Sequence, residues 1–201
     1  MKVLMINGSP NKHGCTYTAL AEVAKALEAE GLESEIVWLG NGPVRDCIGC
    51  GGCAKTKNCV FDDDKLSELK AKCAEADGFV FGSPVYYAHP SGRLLSVLDR
   101  LFFSGNAAFK GKPGAAVVSA RRAGTTASID VINKYFSIAQ MPIVGSSYWN
   151  MVHGRKAEDV LEDAEGLQTM RNLGRNMAAM LKGEKTPNPN NEYGAWTCFV
   201  R

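Results

Sequence analysis

The fold of this chain is decided by residues 1–18, MKVLMINGSPNKHGCTYT. The apolar run Val3–Ile6 is typical of a buried parallel strand. The run breaks at Asn7-Gly8-Ser9-Pro10, and after a short polar loop a helix is predicted to begin at Thr16. A strand that leads into a loop and then a helix start is a phosphate-binding arrangement, because the first backbone N–H groups of a helix lack intrahelical partners.

The composition fits one globular domain. The chain has 201 residues, of which 45% are hydrophobic and 22% are charged, as in ordinary globular proteins. A net charge of +2 gives no reason to invoke nucleic acid or an anionic membrane surface as a partner. No apolar run approaches the length of a membrane span, and no signal peptide is recognisable at the start, so we expect a cytoplasmic protein.

The rest of the chain alternates apolar strands with amphipathic helices. Further strands are predicted at 35–39, 78–82, 114–118 and 142–145. Helices are predicted at 17–30, 62–74, 92–103, 126–139 and 157–181, the second of them capped by Asp62-Asp63-Asp64. Alternating strands and helices form βαβ units, whose right-handed crossovers give a parallel sheet covered on both faces.

The end of the chain has a different character. It is rich in Pro and Asn from residue 183 onward and closes on the apolar residues Trp196, Phe199 and Val200. Such a segment is too apolar for a tail that packs against nothing. We therefore predict one domain over residues 1–201, with a tail at 184–201 that docks on its own domain or on a partner subunit.

Ligands of an open α/β sheet bind beyond the carboxyl ends of the strands, where the strand order reverses. The first loop there, Gly8–Thr16, has neither the G-x-G-x-x-G of a dinucleotide fold nor the Gly-Lys-Ser/Thr ending of a Walker loop. Its two hydroxyls, Ser9 and Thr16, together with the helix start, suit one phosphate monoester. An ordinary strand–turn–helix with Thr16 as its cap is the alternative.

Two further loops fall at the same edge of the sheet. Residues 83–92 place Tyr86 and Tyr87 at a strand end, where two rings can flank a flat heterocycle; ordinary loop packing of tyrosine is the alternative. Residues 119–126 bring hydroxyls and two adjacent arginines, which either pair with a second, phosphate-bearing substrate or are solvated.

A polar and aromatic loop at 146–154 follows the last predicted strand. It lies at the same edge and either covers the site or is a packed aromatic loop. His153 within it is more typical of a surface or hydrogen-bonded histidine than of an acid or base, so no side chain is predicted to be catalytic.

Together these loops resemble the flavodoxin-like family of NAD(P)H-dependent FMN reductases. The resemblance rests on Gly8-Ser9-Pro10 with Gly14 and Thr16, on Gly82–Tyr87, and on Leu98-Asp99-Arg100, and it spans nearly the whole chain. It implies an α/β, flavodoxin-like three-layer sandwich with a five-stranded parallel sheet of order 2-1-3-4-5. It also suggests a homodimer or homotetramer.

The resemblance implies FMN as cofactor, with its phosphate on the first loop and its ring against the second. NAD(P)H would reduce the flavin, which would then reduce a quinone, a free flavin, a metal or a protein carrier. A non-enzymatic flavin and iron–sulfur electron carrier is one alternative, and a zinc or thiol sensor built on the cysteine loop, with a vestigial flavin site, is another. Many members of the family carry Asn where this chain has Cys15. The candidate cofactor-binding residues are Ser9, Asn11, Gly14, Cys15, Thr16, Pro84, Val85, Tyr86, Tyr87, Ser119, Arg121 and Gly124.

Four of the seven cysteines form a separate motif. Cys47, Cys50, Cys53 and Cys59 have the spacing C-x2-C-x2-C-x5-C, and the glycines between them let the backbone fold tightly around one centre. Four thiolates suit a [4Fe–4S] cluster or structural zinc, and redox-labile thiols are the third alternative. The motif resembles that of the iron–sulfur flavoproteins, which carry a cluster after the second strand. The remaining Cys73 and Cys198 are predicted to be packing residues.

Overall fold

The structure is a computed structural model that describes residues 1–61 and 65–199. Its strands are β1 (Lys2–Asn7), β2 (Glu33–Trp38), β3 (Gly78–Tyr86), β4 (His89–Pro90), β5 (Gly114–Ala120) and β6 (Met151–His153). Its helices are α1 (Cys15–Ala29), α2 (Gly52–Thr56), α3 (Leu66–Glu75), α4 (Gly92–Gly105), α5 (Thr125–Ile138), α6 (Ala157–Leu161) and α7 (Ala164–Leu181), and a 3₁₀ turn covers Asn106–Ala108.

The sheet has the order β2-β1-β3-β5-β6, and all four pairings along this path are parallel. The short β4 lies off the path and pairs antiparallel with the end of β3. The predicted order of five parallel strands is therefore confirmed. The order reverses between β1 and β3, so the carboxyl ends of these two strands flank the point where such folds bind ligands.

Alternating side chains of β1 pack on opposite faces of the sheet. Leu4 and Ile6 join a core with residues of α3, α4 and α5. Val3 and Met5 join a second core with residues of α1 and α7. All four side chains are fully buried, and each such burial contributes about 1.5–3 kcal/mol. Helices thus cover both faces, which gives the predicted three layers.

The last parallel strand is not where the sequence predicts it. It lies at Met151–His153, in the segment predicted as a loop, and not at 142–145. In the predicted segment, Ile143 makes only an isolated bridge to Gly114 and is 44% exposed. Met151 and Val152 are buried beside β5, so their packing determines which segment pairs with the sheet.

The predicted helix over 157–181 is also wrong as a single element, because it divides into α6 and α7. The carboxylate of Asp163 lies at the break, where it accepts hydrogen bonds from the backbone N–H groups of Gly166, at 3.0 Å, and His153, at 2.7 Å. Burial by itself raises the pKa of Asp163, but these hydrogen bonds and that of the His153 side chain lower it overall. An ionised N-cap at this position starts a new helix.

The predicted cap Asp62-Asp63-Asp64 lies outside the described residues, and the helix after it begins at Leu66. The helices that the structure describes include none with the length and apolar character needed to cross a membrane.

The tail at 184–199 runs along α7. The carboxylate of Glu192 forms ion pairs with Arg171 and Arg175, both with N–O distances of 2.7 Å. The side-chain amide of Asn172 accepts from the backbone N–H of Glu192 and donates to its carbonyl oxygen, both at 2.7 Å. The Arg171 guanidinium lowers the pKa of Glu192 to about 2. The contacts of the tail described here are therefore made within one chain.

Candidate functional site

An open cavity of about 710 Å³ lies beyond the carboxyl ends of β1, β3 and β5. Its volume is in the range of small-molecule and cofactor sites. The structure brings together on its walls all of the candidate cofactor-binding residues except Tyr87 and Gly124. Those that line it are Ser9, Asn11, Gly14, Cys15, Thr16, Pro84, Val85, Tyr86, Ser119 and Arg121.

The loop after β1 is held by hydrogen bonds at several points. The buried side chain of Asn7 accepts from the N–H of Ser9 at 3.0 Å and donates to the carbonyl oxygen of Lys12 at 3.1 Å. The indole N–H of Trp38 donates to the carbonyl oxygen of Ser9 at 2.8 Å. These bonds fix the loop before any ligand binds. Sequence reasoning missed the role of Asn7, although asparagine is a known turn-forming residue at such positions.

The helix after this loop begins without a side-chain cap. Gly14 is its N-cap residue and makes no side-chain cap hydrogen bond, so the first turn of α1 can offer N–H groups to a ligand. Thr16 does not cap the helix, contrary to the alternative considered for this loop. Its hydroxyl lies 2.8 Å from that of Ser119 in a buried hydrogen bond. Each hydroxyl carries one proton, so the pair keeps one O–H that is not used between them.

Cys15 contacts the opposite wall of the cavity. Its thiol donates to the carbonyl oxygen of Gly154 at 3.4 Å, which links the start of α1 to the residue that follows β6. Burial raises the pKa of the Cys15 thiol, so the group is a neutral S–H donor at neutral pH rather than a thiolate nucleophile.

The strand β3 reaches the cavity with Pro84, Val85 and Tyr86, but the structure does not bring Tyr87 there. A tight turn between β3 and β4 puts Tyr87 and Ala88 in the left-handed region, with φ of 50° and 62°. This turn directs the side chain of Tyr87 into solvent, where it is fully exposed. Two rings flanking a ligand were expected from the sequence. In this conformation the ring of Tyr86 lies at the cavity and that of Tyr87 does not.

Gly124 packs closely against the same turn and does not line the cavity. It has a φ of 93°, and a Cβ atom on it would lie 2.7 Å from the Cα of Ala88 and 2.9 Å from the Val85 side chain. Only glycine fits both requirements without strain. Gly124 therefore shapes the wall that Val85 and Tyr86 present.

A further wall comes from residues 154–158, after β6, and sequence reasoning missed it apart from Gly154. The Arg-Lys pair that follows β6 was the sequence signal for this wall. Of the aromatic loop at 146–154, Tyr148 and Trp149 contact each other, with ring centroids 4.9 Å apart, and lie away from the cavity.

Basic side chains from three loops line the cavity. They are Lys12, Arg121, Arg155 and Lys156, with Glu158 as an acidic neighbour. This surplus of positive charge favours an anionic ligand.

The cysteine motif lines a second, smaller cavity of about 120 Å³, formed with α4. The left-handed backbone of Gly49 and Gly51, with φ of 64° and 70°, winds the loop around it. Four soft sulfur donors around one space fit an iron–sulfur cluster or zinc by their chemistry. Nevertheless, among the described residues no three His, Cys, Asp or Glu side chains are grouped so as to hold one metal ion. Binding would therefore require the loop to draw its thiols together. The cysteines that line the cavity are Cys47, Cys50, Cys53 and Cys59.

The other two cysteines differ from each other. Cys73 is fully buried in the core between the sheet and α3, and burial raises the pKa of its thiol to about 12. This confirms it as a packing residue. The prediction for Cys198 is wrong, because its side chain is exposed on the tail.

The chain is similar in sequence to known flavoproteins and in fold to a solved flavodoxin. Residues 1–156 match the family described as NADPH-dependent FMN reductase. An iron–sulfur flavoprotein of Methanocaldococcus jannaschii is 34% identical over 194 residues, covering 90% of this chain and 98% of the relative. An iron–sulfur flavoprotein of Methanosarcina thermophila is 31% identical over 187 residues, covering 90% and 96%. A solved flavodoxin from the domain Archaea has the same fold, with a TM-score of 0.61 at 17% identity, covering 90% of this chain and 99% of that one.

Proposed function

Because this chain belongs to the NADPH-dependent FMN reductase family, we propose that it uses bound FMN to pass electrons from NAD(P)H to a second substrate. The observation that carries the proposal is the cavity beyond β1, β3 and β5, which combines an uncapped helix start, an aromatic strand end and a basic rim. The acceptor is a quinone, a free flavin, a metal or a protein carrier.

The first loop holds the phosphate of FMN. N–H groups at the uncapped start of α1 and the hydroxyl of Ser9, which accepts from the N–H of Asn11 at 3.1 Å and keeps its own proton to donate, face an anion there. The unused O–H of the pair formed by Thr16 and Ser119 supplies another donor. These groups are fixed by the fold, so little ordering is required when the phosphate binds.

Residues Pro84–Tyr86 hold the ring, since they line the cavity at the carboxyl end of β3, one of the two strands that flank the reversal of strand order. Bound FMN would supply the two-electron chemistry between NAD(P)H and the acceptor. No side chain is assigned as a catalytic acid, base or nucleophile. Arg121, together with Arg155 of the facing wall, attracts the phosphates of NAD(P)H to the open side of the cavity.

The cysteine loop holds a [4Fe–4S] cluster in this proposal. The donor set and the relatives named as iron–sulfur flavoproteins support this assignment. A cluster would let electrons leave one at a time. Iron and acid-labile sulfide in anaerobically prepared protein test the assignment against zinc, which brings no sulfide, and against free thiols, which bring no metal.

A second candidate function is that of a flavin and iron–sulfur electron carrier with no nicotinamide substrate. The apolar side chains around the cysteine cavity favour it, because Ile48, Val60 and Phe103 are exposed where a protein partner can approach the thiols.

Steady-state oxidation of NADH and of NADPH by the anaerobically purified protein, with each class of acceptor in turn, separates the two functions. We expect at least one nicotinamide to be consumed. If neither is consumed with any acceptor while a reduced carrier protein still reduces the bound flavin, the reductase assignment is wrong and the carrier assignment holds.

The homodimer or homotetramer and the cytoplasmic location stay predictions. Exposed aromatic side chains, among them Phe103 and Trp196, are compatible with an interface. Light scattering on the purified protein measures the oligomeric state directly.

A further inference from the structure

The Leu98-Asp99-Arg100 motif of α4 reaches the cysteine loop and not the flavin cavity. Arg100 lines the cysteine cavity together with Phe103 and Ser104 of the same helix. Its side chain is only 1% exposed, and it is the largest fully buried side chain among the residues that the structure describes. A buried guanidinium is costly unless its N–H groups are bonded, so its surroundings indicate what it does.

Arg100 bonds to both ends of the cysteine loop. One terminal nitrogen donates to the carbonyl oxygen of Arg45 at 3.3 Å, and the other donates to that of Phe61 at 3.0 Å. The guanidinium also lies 5.7 Å from the centre of the Phe61 ring. These carbonyls stand two residues before Cys47 and two residues after Cys59. The side chain therefore fixes the loop at its entry and its exit.

Arg100 also contacts a sulfur atom. Its Nε–H donates to Sγ of Cys59 at 3.3 Å. A hydrogen bond to a ligating sulfur and a fixed positive charge beside it both favour the more negative, reduced state of a cluster. Burial strengthens this effect, because the attraction between charges grows as water is excluded.

We propose that Arg100 is a positioning residue that anchors the cysteine loop to α4 and raises the reduction potential of the cluster through its charge and its hydrogen bond to Cys59. The inference rests on the cluster of the proposed function. It goes beyond that function by assigning the control of the potential to one residue outside the cysteine motif.

Two substitutions separate charge from shape. Arg100→Gln keeps an N–H donor but removes the charge. Arg100→Lys keeps the charge but loses the planar guanidinium and the fixed directions of its N–H donors. Arg93→Gln is the matched control, because Arg93 lies on α4, is half-buried, and bonds to the carbonyl oxygen of Gly42, away from the cysteine cavity. Each full-length protein is reconstituted with ferrous iron and sulfide and titrated anaerobically with dithionite, with the cluster followed by electron paramagnetic resonance and the flavin by absorption.

We expect Arg100→Gln to lower the equilibrium constant for one-electron reduction of the cluster at least tenfold, about 59 mV. Arg100→Lys should lower it less, and the potential of the flavin should not move. A cluster in Arg100→Gln with the potential of the wild type, or an equal shift in Arg93→Gln, overturns the inference.

Should Arg100→Gln bind no cluster, the potential of the Arg100→Lys cluster decides in the same way: a smaller decrease than tenfold supports the inference, and an unchanged potential overturns it. Wild-type protein that takes up no iron and sulfide would instead contradict the cluster itself. Iron and sulfide analysis of the wild type thus distinguishes failure of the proposed cluster from failure of this inference.

Discussion

The hydroxyl oxygens of Thr16 and Ser119 lie 2.8 Å apart, in a buried hydrogen bond that joins the start of α1 to the end of β5 across 103 positions of sequence. This bond places two loops of the proposed flavin site in a fixed relation. It also determines where the remaining O–H of the pair can be donated.

Removing either hydroxyl should weaken FMN binding. We expect Thr16→Val and Ser119→Ala each to raise the Kd for FMN about tenfold, or about 1.4 kcal/mol, because each removes the partner hydroxyl that orients the remaining O–H of the pair toward the phosphate. The double variant should cost less than the sum of the two, since the groups act as a pair. Flavin fluorescence titration measures the Kd, and Ser137→Ala, an exposed hydroxyl on α5, is the control. Wild-type affinity in either single variant would contradict the assignment.

Gly124→Ala should destabilise the protein by about 1–3 kcal/mol. The new Cβ would be forced against the turn at Ala88 from a backbone with φ of 93°. Gly145→Ala, where a Cβ meets nothing within 4 Å, should change the free energy of unfolding by no more than about 0.5 kcal/mol. The midpoints of urea unfolding give both values. Equal stability of the two variants would show that the close contact with the turn is not required.

Arg121 and its neighbour offer a matched pair for the nicotinamide substrate. Arg121 lines the flavin cavity and Arg122 does not, although both side chains are exposed. Arg121→Ala should raise KM for NAD(P)H about tenfold, as expected for one lost charge-assisted hydrogen bond. Arg122→Ala should leave KM close to that of the wild type. Steady-state kinetics at low ionic strength measure both, and equal effects would remove Arg121 from the substrate site.

Glu192 should stabilise the tail at neutral pH but not at strongly acidic pH. The pKa of this carboxyl falls from 4.5 to about 2 in the folded state, first because of the Arg171 guanidinium. A lowered pKa contributes stability that is complete above pH 4.5 and is lost as the pH falls toward 2. At neutral pH, the free energy of unfolding of the wild type should exceed that of Glu192→Gln by about 1 kcal/mol, the magnitude found for partly exposed ion pairs.

Below pH 2, where the carboxyl is protonated in both the folded and the unfolded state, that difference should vanish. Urea unfolding of the two proteins across this range measures it, with Glu184→Gln, an exposed tail position, as control. A gap between wild type and Glu192→Gln that is the same at both ends of the range would contradict the ion pairs of the tail.

Much of the fold could be predicted from residues 1–18 and the repeated apolar runs, because a strand buried on both faces is recognisable from its own residues. The last strand could not, since Ile143 and Met151 are both apolar and only packing against β5 distinguishes them. The division between α6 and α7 depends on hydrogen bonds to Asp163 that no periodicity reveals.

The candidate site could also be predicted only in part from the sequence. Loops that follow strands are brought to one edge of the sheet by topology, so Ser9, Pro84 and Ser119 could be predicted to meet. The direction of a side chain could not be predicted: Tyr87 follows Tyr86 directly, yet the left-handed turn sends it into solvent. Arg100 lies 41 positions from Cys59, and nothing in the motif around it indicates that contact.

Binding of FMN to this chain is measured most directly by the absorption spectrum of the full-length protein, purified anaerobically and analysed for flavin. We expect flavin bands with FMN equimolar to the chain, retained by the wild type and partly lost by Thr16→Val. A colourless protein that takes up no FMN when the cofactor is added would contradict it.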